Sequence, residues 1–286
     1  MIRIDKTTLL TTLLVVAAAS LWSASVTIEP TKDNTMYEES DKSNGQGFYI
    51  FAGQVGPQNG SSNRRALLQF NLDGVIPAGS TVESVSLELT MNKSGVGGRQ
   101  VTVHRLTKDW GEGSSDAFAN EGRGISAETG DVTWTHTFYS DQFWANQGGD
   151  FVASPSATIS VSGSGKYNWS GTSMVADVQA WIDNPATNFG WIVIGDETQQ
   201  SSKRFYSRHW SNAADRPMLT ITYSAGAATW AGYPIESDGR SVFTDSFLGW
   251  IDVGDDPYVY VYALNKYIYA PEQNISDSGG WTWIGK

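Results

Sequence analysis

The basic residues of this chain are few, but several of them cluster in the sequence. They lie at the ends of candidate strands and within one segment of 14 residues, and comprise Arg64, Arg65, Arg105, Lys203, Arg204, Arg208 and Arg216, with His104 and His209 beside them. A planar guanidinium can bind two oxygens of a carboxylate or sulfate group at once. We therefore take Arg65, Arg105, Arg208, His104 and His209 as candidate residues for binding an anionic ligand. The alternative is that the arginines pair with Asp and Glu inside the fold.

Four tryptophans lie in or beside glycine-rich segments: Trp110, Trp134, Trp144 and Trp169. An indole face can stack on the C–H face of a sugar ring. Trp110 and Trp134 are therefore candidate sugar-binding residues. The alternative is that these large side chains fill the ends of a core, which is the role we expect for Trp181 and Trp191 in their core-like motifs.

Calcium is the one metal ion that the composition favours, because the chain is rich in oxygen ligands. Candidate ligands are Asp33 near the start, Asp73 after a predicted strand, and Asp177 on a predicted helix. The chain has no contiguous Asp-x-Asp-x-Asp-Gly loop. Asp33 and Asp73 could instead cap turns.

Residue types for catalysis are present, but their spacing does not indicate an enzyme. Asp109 and Glu112 are too close in sequence to stand on opposite walls of a glycosidase cleft. The chain has no Gly-x-Ser-x-Gly elbow and no glycine loop for phosphate before a helix. We predict a non-catalytic protein with no nucleotide partner. His104 with Arg105, and Tyr206 with Arg208 and His209, keep a small polysaccharide lyase as an alternative.

Composition limits the classes of partner. The chain has 286 residues, 19 Lys and Arg, 30 Asp and Glu, a formal net charge of −11, and no Cys. A chain this acidic is unsuited to nucleic acid, and an anionic ligand would need a local basic patch. The lack of Cys excludes disulfides, thiolate nucleophiles and Cys-ligated metals. The 30 Gly and the many aromatic residues favour a turn-rich all-β protein.

The first residues have the order of a secretory signal peptide. Arg3 and Lys6 precede an apolar segment at 9–22, and the small residues Ser23 and Ser25 follow. We predict a signal peptide at residues 1–25 and a secreted or cell-surface protein. Cleavage near Ser25 fits this pattern, Ala17-x-Ala19 is a second cleavage site, and an uncleaved membrane anchor is the alternative.

Residues 26–224 have the pattern of one β-domain. Polar and apolar residues alternate from Ser84 to Met91, as in a strand with one face in a core. Strands are predicted at 48–52, 66–71, 82–92, 100–106, 132–138, 157–161, 190–194, 204–208 and 218–223. One short helix is predicted, capped by Thr172 or Ser173 and ended by Asn184-Pro185, with Met174, Val178, Trp181 and Ile182 on one face. We expect an antiparallel two-sheet sandwich that is jelly-roll-like.

Residues 229–286, after a small-residue joint at 224–228, have a different composition that is rich in Trp and Tyr. Tyr258, Tyr260 and Tyr262 alternate, as do Tyr267 and Tyr269, so each set would share one face of a strand. We predict a small aromatic-rich β module with a hairpin that displays an aromatic ladder, and a core that is nearly all aromatic.

Motifs in the first domain, taken in order, resemble a known family. They are TKDNT at 31–35, RRALLQFNL at 64–72, IPAGSTV at 76–82, VTVHRL at 101–106, DWGE at 109–112, VADVQAW at 175–181, NFGW at 188–191, FYSR at 205–208 and RPMLTITY at 216–223. Together they are similar to the DNRLRE (disaggregatase-related) domain, also described as carbohydrate-binding module family 96. The resemblance implies a β-sandwich, binding of an extracellular polysaccharide, for which acidic alginate-like glycans are suggested, and a calcium ion. The loop region 111–149 departs from the family in length and in glycine content, so the specificity of the family need not transfer.

These observations lead to one expectation with two alternatives. We expect a secreted, non-catalytic protein that binds an extracellular polysaccharide, while its C-terminal module contacts a cell envelope or matrix. The alternatives are a structural cell-surface or matrix protein and the small lyase. Buried ion pairs at Arg65, Arg105 and Arg208 would weaken the anionic-ligand hypothesis, and burial of Trp110 and Trp134 would weaken the stacking hypothesis.

Overall fold

The structure is a computed structural model, and its described residues form two compact units. The described residues are 23–39, 41–77, 79–226, 229–231, 233–236, 238–245, 248–255 and 257–270, with the backbone alone at 275–276 and 279–280. Residues Ser23–Gly226 form the first unit, which we call the sandwich, and the described residues from Thr229 onward form the second, which we call the tail unit. Most of the predicted signal peptide, and Trp281 and Trp283, lie outside the described residues.

The sandwich is built almost entirely of strands. Its elements are β1 (Ser23–Ile28), β2 (Lys32–Tyr37), β3 (Lys42–Ser43), β4 (Tyr49–Gln54), β5 (Asn63–Gln69), β6 (Thr81–Ser94), β7 (Arg99–Arg105), β8 (Ile125–Ser126), β9 (His136–Phe138), β10 (Gln142–Phe143), β11 (Ala157–Val161), β12 (Gly165–Ser170), α1 (Thr172–Asp183), β13 (Trp191–Gly195), β14 (Lys203–Tyr206) and β15 (Met218–Ser224). Short 3-10 helices lie at Pro57–Asn59, Phe118–Arg123, Pro185–Thr187 and Ala213–Asp215.

One antiparallel sheet curls over to make both layers. The strand order is β1-β15-β6-β14-β4-β5-β13-β7-β11, with β12 beside β6 and β2 beside β5. Strand β4 belongs to both halves, because Tyr49–Ala52 pair with β14 while Gly53 and Gln54 pair with β5. Gly53 makes this change of partner possible. Its φ is +99°, and a Cβ there would lie 2.5 Å from Oγ of Ser201.

The inner faces of the two halves share a core, and the predicted all-β sandwich is confirmed. Alternate residues of the strands point into it, among them Leu87 and Leu89 of β6 and Val101 and Val103 of β7. Helix α1 closes one side with Met174, Val178 and Trp181, and Trp181 packs against Trp191 with ring centroids 4.5 Å apart. The helix ends before Pro185 as predicted, but the predicted cap is wrong: Thr172 is already helical, and Gly171 precedes it without a side-chain cap.

A second hydrophobic cluster lies under the long segment between β7 and β11. Trp110, Trp134 and Trp144 from that segment are buried together with Leu67 of β5 and Ile192 of β13. The segment thus covers the outward side of this half of the sandwich, as long loops with satellite clusters often do. The strand predicted at 132–138 is wrong over most of its length, because only His136–Phe138 pair, with β10.

The tail unit has a four-stranded antiparallel sheet. The strands of the unit are β16 (Thr229–Trp230), β17 (Tyr233–Pro234), β18 (Ser241–Phe243), β19 (Trp250–Asp255), β20 (Tyr258–Val261), β21 (Lys266–Tyr269), β22 (Ile275–Ser276) and β23 (Gly279–Gly280). Strands β18 to β21 form the four-stranded sheet. The predicted hairpin is confirmed as β20 and β21, with Tyr258 opposite Tyr269 and Tyr260 opposite Tyr267. The expected aromatic core is wrong, because the buried cluster is mostly aliphatic: Trp230, Val242, Ile251, Val259, Val261, Ile268 and Ala270.

Within the part of the chain that the structure describes, no helix combines the length and the apolar composition that crossing a bilayer requires.

Candidate functional site

The candidate site begins on the outer face of strands β4 and β14. In β4, Ile50 and Ala52 enter the core, so Tyr49 and Phe51 face the other way. In β14, Phe205 enters the core, so Arg204 and Tyr206 face outward. The register places Tyr206 opposite Tyr49 and Arg204 opposite Phe51. Two aromatic rings and a guanidinium are therefore brought side by side by residues far apart in the sequence.

Aromatic side chains extend this surface beyond the strands. The ring of Trp210 stacks on that of Tyr206 with centroids 4.3 Å apart and an interplanar angle of 26°. Tyr49 and Phe48 pack on the same indole, with centroids 5.5 Å and 5.9 Å away. Phe48 is 46% exposed, so the cluster offers an apolar surface to solvent.

A groove of about 590 Å³ runs along this surface. The segment 118–123, which we call the wall, lines the groove together with residues 55–59 and the β6–β7 turn. Its aromatic lining residues are Phe48, Tyr49, Phe51 and Phe118, and its charged lining residues are Lys93, Glu121, Arg123 and Arg204. The groove therefore carries three cations and one carboxylate in a protein whose net charge is −11.

The wall at 118–123 is held by buried side chains of neighbouring strands. The hydroxyl of Tyr37 donates to the carbonyl of Glu121 at 2.5 Å, and Nε of Arg64 donates to the carbonyl of Gly122 at 3.1 Å. Arg64 also lies over the Tyr37 ring and pairs with Glu39 at 2.7 Å. Strands β2 and β5 thus set the position of the wall.

The Glu121 carboxylate is tied to the floor of the groove. Its Oε2 accepts from the backbone N–H of Tyr49 at 2.8 Å and from Nδ2 of Asn44 at 3.1 Å. Burial raises the pKa of Glu121 above its usual value, while these hydrogen bonds oppose the shift. Glu121 therefore joins the wall to β4 through a side chain that is itself buried.

The groove holds the described arginines that have no carboxylate partner. Of the nine arginines in the described residues, seven lie in ion pairs within 4.0 Å: Arg64, Arg65, Arg99, Arg105, Arg208, Arg216 and Arg240. The other two are Arg123 and Arg204, and both line the groove. Arg204 is fixed by a hydrogen bond from its Nε to Oδ1 of Asn92 at 2.8 Å and lies 4.0 Å from the centroid of the Tyr49 ring. Among the described residues its Nη atoms have no hydrogen-bond partner, so they can meet an anion.

The structure gives the predicted ligand-binding arginines partners inside the protein. Arg65 forms a bidentate salt bridge with Glu197 at 2.7 Å and is nearly buried. Arg105 lies 3.3 Å from Asp177 and remains half-buried. Arg208 makes a two-pronged contact with Glu112 at 2.6 and 2.8 Å. All three arginines thus have the carboxylate partners inside the fold that the alternative expects, which weakens the anionic-ligand hypothesis at these positions.

The predicted stacking tryptophans are buried. Trp110 is fully enclosed, and its indole N–H donates to the carbonyl of Phe189 at 2.9 Å. Trp134 lies beneath the guanidinium of Arg65, 4.7 Å from ring centroid to Cζ. Both belong to the second hydrophobic cluster. Their burial matches the alternative that they fill a core, and it weakens the stacking hypothesis because protein covers both rings.

His104 is a buried structural residue. Its Nδ1 lies 2.9 Å from the carbonyl of Val152, and its Nε2 lies 3.0 Å from Oγ1 of Thr102. Both ring nitrogens are thus satisfied within the protein, and His104 does not contact the groove. The prediction that it binds ligand finds no support in its position.

Three of the predicted residues, Asp33, Arg208 and His209, lie together around Glu112. The ligand atoms of Asp33, Glu112 and His209 all lie within 4.8 Å of one another. Oδ2 of Asp33 accepts from the backbone N–H of Arg208 at 2.7 Å, and Oε1 of Glu112 accepts from the backbone N–H of Asp33 at 2.8 Å. Burial raises the pKa of Asp33 to about 7, against the hydrogen bond from Arg208. We call these four residues the Asp33 cluster.

The donor set of the Asp33 cluster does not fit calcium. Calcium takes six to eight oxygen ligands, whereas this cluster offers two carboxylates and an imidazole. Both carboxylate oxygens of Glu112 already accept from Arg208, whose positive charge takes the place of a cation. The other predicted ligands lie elsewhere: Asp73 is exposed in a turn, and Asp177 accepts from Trp191 and Ser156 beside Arg105.

The residues of the groove were missed by the sequence analysis for a physical reason. The sequence places Arg204 in the basic segment and Tyr206 among the candidate lyase residues, but its motifs do not single out Phe48, Tyr49, Phe118 and Arg123. The i, i+2 pairs Tyr49/Phe51 and Arg204/Tyr206 are the available signal, because each puts large polar or aromatic groups on one face of a strand whose other face is apolar.

No family model matches the chain, and no curated protein matches it.

Proposed function

We propose that the sandwich binds an acidic extracellular polysaccharide in the groove, as a non-catalytic domain of a secreted protein. The observation that carries this proposal is the position of the arginines that have no carboxylate partner. In a chain of net charge −11, the two described arginines left without a carboxylate both line one open groove beside exposed aromatic rings. Such a local basic surface is what an acidic polymer needs in order to approach an acidic protein.

The aromatic lining suits sugar rings. Phe48, Tyr49 and Phe118 present apolar ring surface at the groove, on which the C–H face of a pyranose can pack. Phe118 is 78% exposed and has a φ of +47°, which is uncommon for a bulky residue. An exposed ring held in a costly backbone conformation at a groove supports a binding role.

The polar lining suits an acidic sugar with free hydroxyl groups. The Nη atoms of Arg204 can bind both oxygens of a uronate carboxylate or sulfate, and Arg123 and Lys93 add charge along the groove. Asn59 and Gln200 also line the groove, are exposed, and can form hydrogen bonds with sugar hydroxyls. With three cations and one carboxylate, the lining of the groove keeps a net positive charge that attracts a polyanion.

The remaining predictions of the sequence analysis are part of the same proposal. These are the resemblance to the DNRLRE domain, secretion through the N-terminal signal peptide, and the absence of catalysis. The lyase alternative requires His, Tyr and Arg around one point. Tyr206 stacks on Trp210, whereas His209 lies 3.7 Å from Glu112, and no hydrogen bond among the described residues joins Tyr206 to His209.

A polysaccharide panel tests the proposal. The purified protein is run through native gels containing alginate, pectate, a sulfated algal glycan or xylan, with calcium or with chelator, and each glycan is assayed for new unsaturated ends. We expect retardation by at least one acidic glycan, weakened by salt, unchanged by chelator, and without unsaturated products.

A matched pair of aromatic variants assigns the binding to the groove. Phe118→Asn removes the groove ring and keeps a residue that tolerates the left-handed backbone, whereas Phe143→Asn removes another exposed ring outside the groove. We expect Phe118→Asn alone to weaken binding, by about tenfold. Unsaturated products would replace the proposal with the lyase, and no retardation by any acidic glycan would favour the structural alternative.

A further inference from the structure

The four-stranded sheet of the tail unit has two chemically different faces. Val242, Ile251, Val259, Val261 and Ile268 lie on one face and are buried in the core of the unit. The residues between them therefore lie on the opposite face. That face carries Phe243 of β18, Trp250 of β19, Tyr258 and Tyr260 of β20 with Tyr262 just beyond it, and Tyr267 and Tyr269 of β21. We call it the aromatic face.

Six of the seven rings of the aromatic face are exposed, and four tyrosine rings pair across the strands. Tyr258 and Tyr267 are each 53% exposed, and Trp250 is 47% exposed. Ring centroids lie 5.6 Å apart for Tyr258 and Tyr269, and 5.0 Å apart for Tyr260 and Tyr267. Neighbouring exposed aromatic side chains on one sheet face are typical of a binding surface.

The charges of the aromatic face exclude an acidic polymer. Arg240 forms an ion pair with Asp252 at 3.0 Å and lies 3.9 Å from Asp255. The hydroxyl of Tyr267 also donates to Oδ2 of Asp255, at 3.3 Å. Among the described residues of this face, one guanidinium stands against two carboxylates, so their charge balance is negative. A polyanion would be repelled, whereas a neutral chain of sugars would meet rings and hydroxyl groups.

The ring orientations exclude a flat surface as the ligand. The two Tyr–Tyr pairs have interplanar angles of 68° and 63°, and Tyr260 with Tyr262 has 86°. A crystalline sheet of glycan chains requires aromatic rings in one plane. Tilted rings instead suit a single chain whose successive sugars can turn relative to one another.

From the charge balance and the tilted rings we infer that the aromatic face is a second glycan-binding surface, specific for single chains of neutral polysaccharide. It does not depend on the groove of the sandwich or on the function proposed for it. A protein with both surfaces would bind an acidic glycan through the sandwich and a neutral glycan through the tail unit, and so could join two components of a matrix.

Gel retardation of the full protein tests this inference. The probes are two soluble neutral polysaccharides, hydroxyethyl cellulose and galactomannan, with microcrystalline cellulose as a flat surface and alginate as an acidic chain. Tyr258→Thr and Tyr267→Thr remove rings and keep a strand-favouring residue, and Phe143→Thr is the control at an exposed ring of the sandwich. We expect at least one soluble neutral glycan to retard the protein, and each Tyr variant to weaken that binding about tenfold.

The outcomes separate this inference from the proposed function. Arg204→Gln should leave neutral binding intact, and the Tyr variants should leave alginate binding intact. The inference is overturned if folded protein ignores both neutral glycans, if Phe143→Thr is as damaging as the Tyr variants, or if microcrystalline cellulose is bound more tightly than the soluble chains. It is also overturned if sedimentation shows self-association that Tyr258→Thr abolishes, because the face would then bind a second copy.

Discussion

The arginines of this protein differ in whether a carboxylate inside the fold balances their charge. Arg65 and Arg208 have carboxylate partners at 2.7 and 2.6 Å, whereas Arg204 has an amide oxygen and a tyrosine ring. All three have the same side chain and similar positions on strands or next to them. What distinguishes them is a carboxylate partner supplied by a remote part of the chain, and local sequence patterns do not show which arginines receive one.

Asp33 gives a prediction at the same scale. Burial raises the pKa of its carboxyl from 3.8 to about 7, in the surroundings of Glu112, Arg208 and His209. The pKa of Asp33 is higher in the folded than in the unfolded protein. The contribution of its neutral carboxyl to the free energy of unfolding is therefore fully present below about pH 4, and it is lost as the pH rises through about 7. We expect this loss to amount to a few kcal/mol of unfolding free energy.

Denaturant melts of Asp33→Asn between pH 4 and 8 test this expectation. Asn keeps the acceptor for the Arg208 N–H but cannot ionise, so the variant should lack the decline that wild type shows. Asp73→Asn, at an exposed turn carboxyl, should keep the wild-type profile. Parallel profiles for wild type and Asp33→Asn would contradict the assignment.

At the scale of elements, strands rich in apolar residues were predictable even where both faces are covered, as in β5 and β13, whereas the more polar strand β2 was not. The alternation in β6 identifies it, because one face meets the core. Strand β2 has no alternation, since Asp33 to Tyr37 are all buried between the sheet and the loops over it. The groove depends on the pairing of β4 with β14 and on the placement of the 118–123 wall, neither of which local patterns encode.

The wall gives a prediction with a matched control. Gly124 has a φ of +61°, and a Cβ there would lie 2.9 Å from the Tyr37 ring that holds the wall. Gly130 has a φ of +91° but open space around its Cβ position. Both Ala variants bear the backbone strain, of about 1 kcal/mol or more, but only Gly124→Ala should displace the wall. We expect Gly124→Ala to weaken acidic-glycan binding and Gly130→Ala to leave it unchanged; equal effects would mean that the wall does not form the site.

At the scale of the whole molecule, strand β1 bears on where an exported chain would be cut. All six residues of β1 pair with β15, from Ser23 opposite Ser224 to Ile28 opposite Leu219. Cleavage after Ser25 would delete half of this pairing, whereas cleavage after Ala19 would keep it. We expect mass spectrometry of the secreted protein to show a mature terminus before Ser23. A terminus at Val26 would show that the first half of β1 is dispensable.

Metal dependence is also a property of the whole molecule. Because Arg208 already balances Glu112 in the Asp33 cluster, we expect the melting temperature and glycan binding to be the same with calcium and with chelator. A rise of several degrees in melting temperature on adding calcium would contradict this account and would direct attention to carboxylates outside the cluster.

The most direct test of the central claim is the affinity for alginate of charge variants, measured by retardation in native gels at fixed salt. Arg123→Gln and Arg204→Gln each remove one groove cation, and Lys108→Gln removes one exposed cation outside the groove with the same change in net charge. The account predicts that each Arg variant binds about tenfold more weakly and that Lys108→Gln binds like wild type. Equal affinities for all three variants would contradict it, because the acidic glycan would then be recognised somewhere other than the groove.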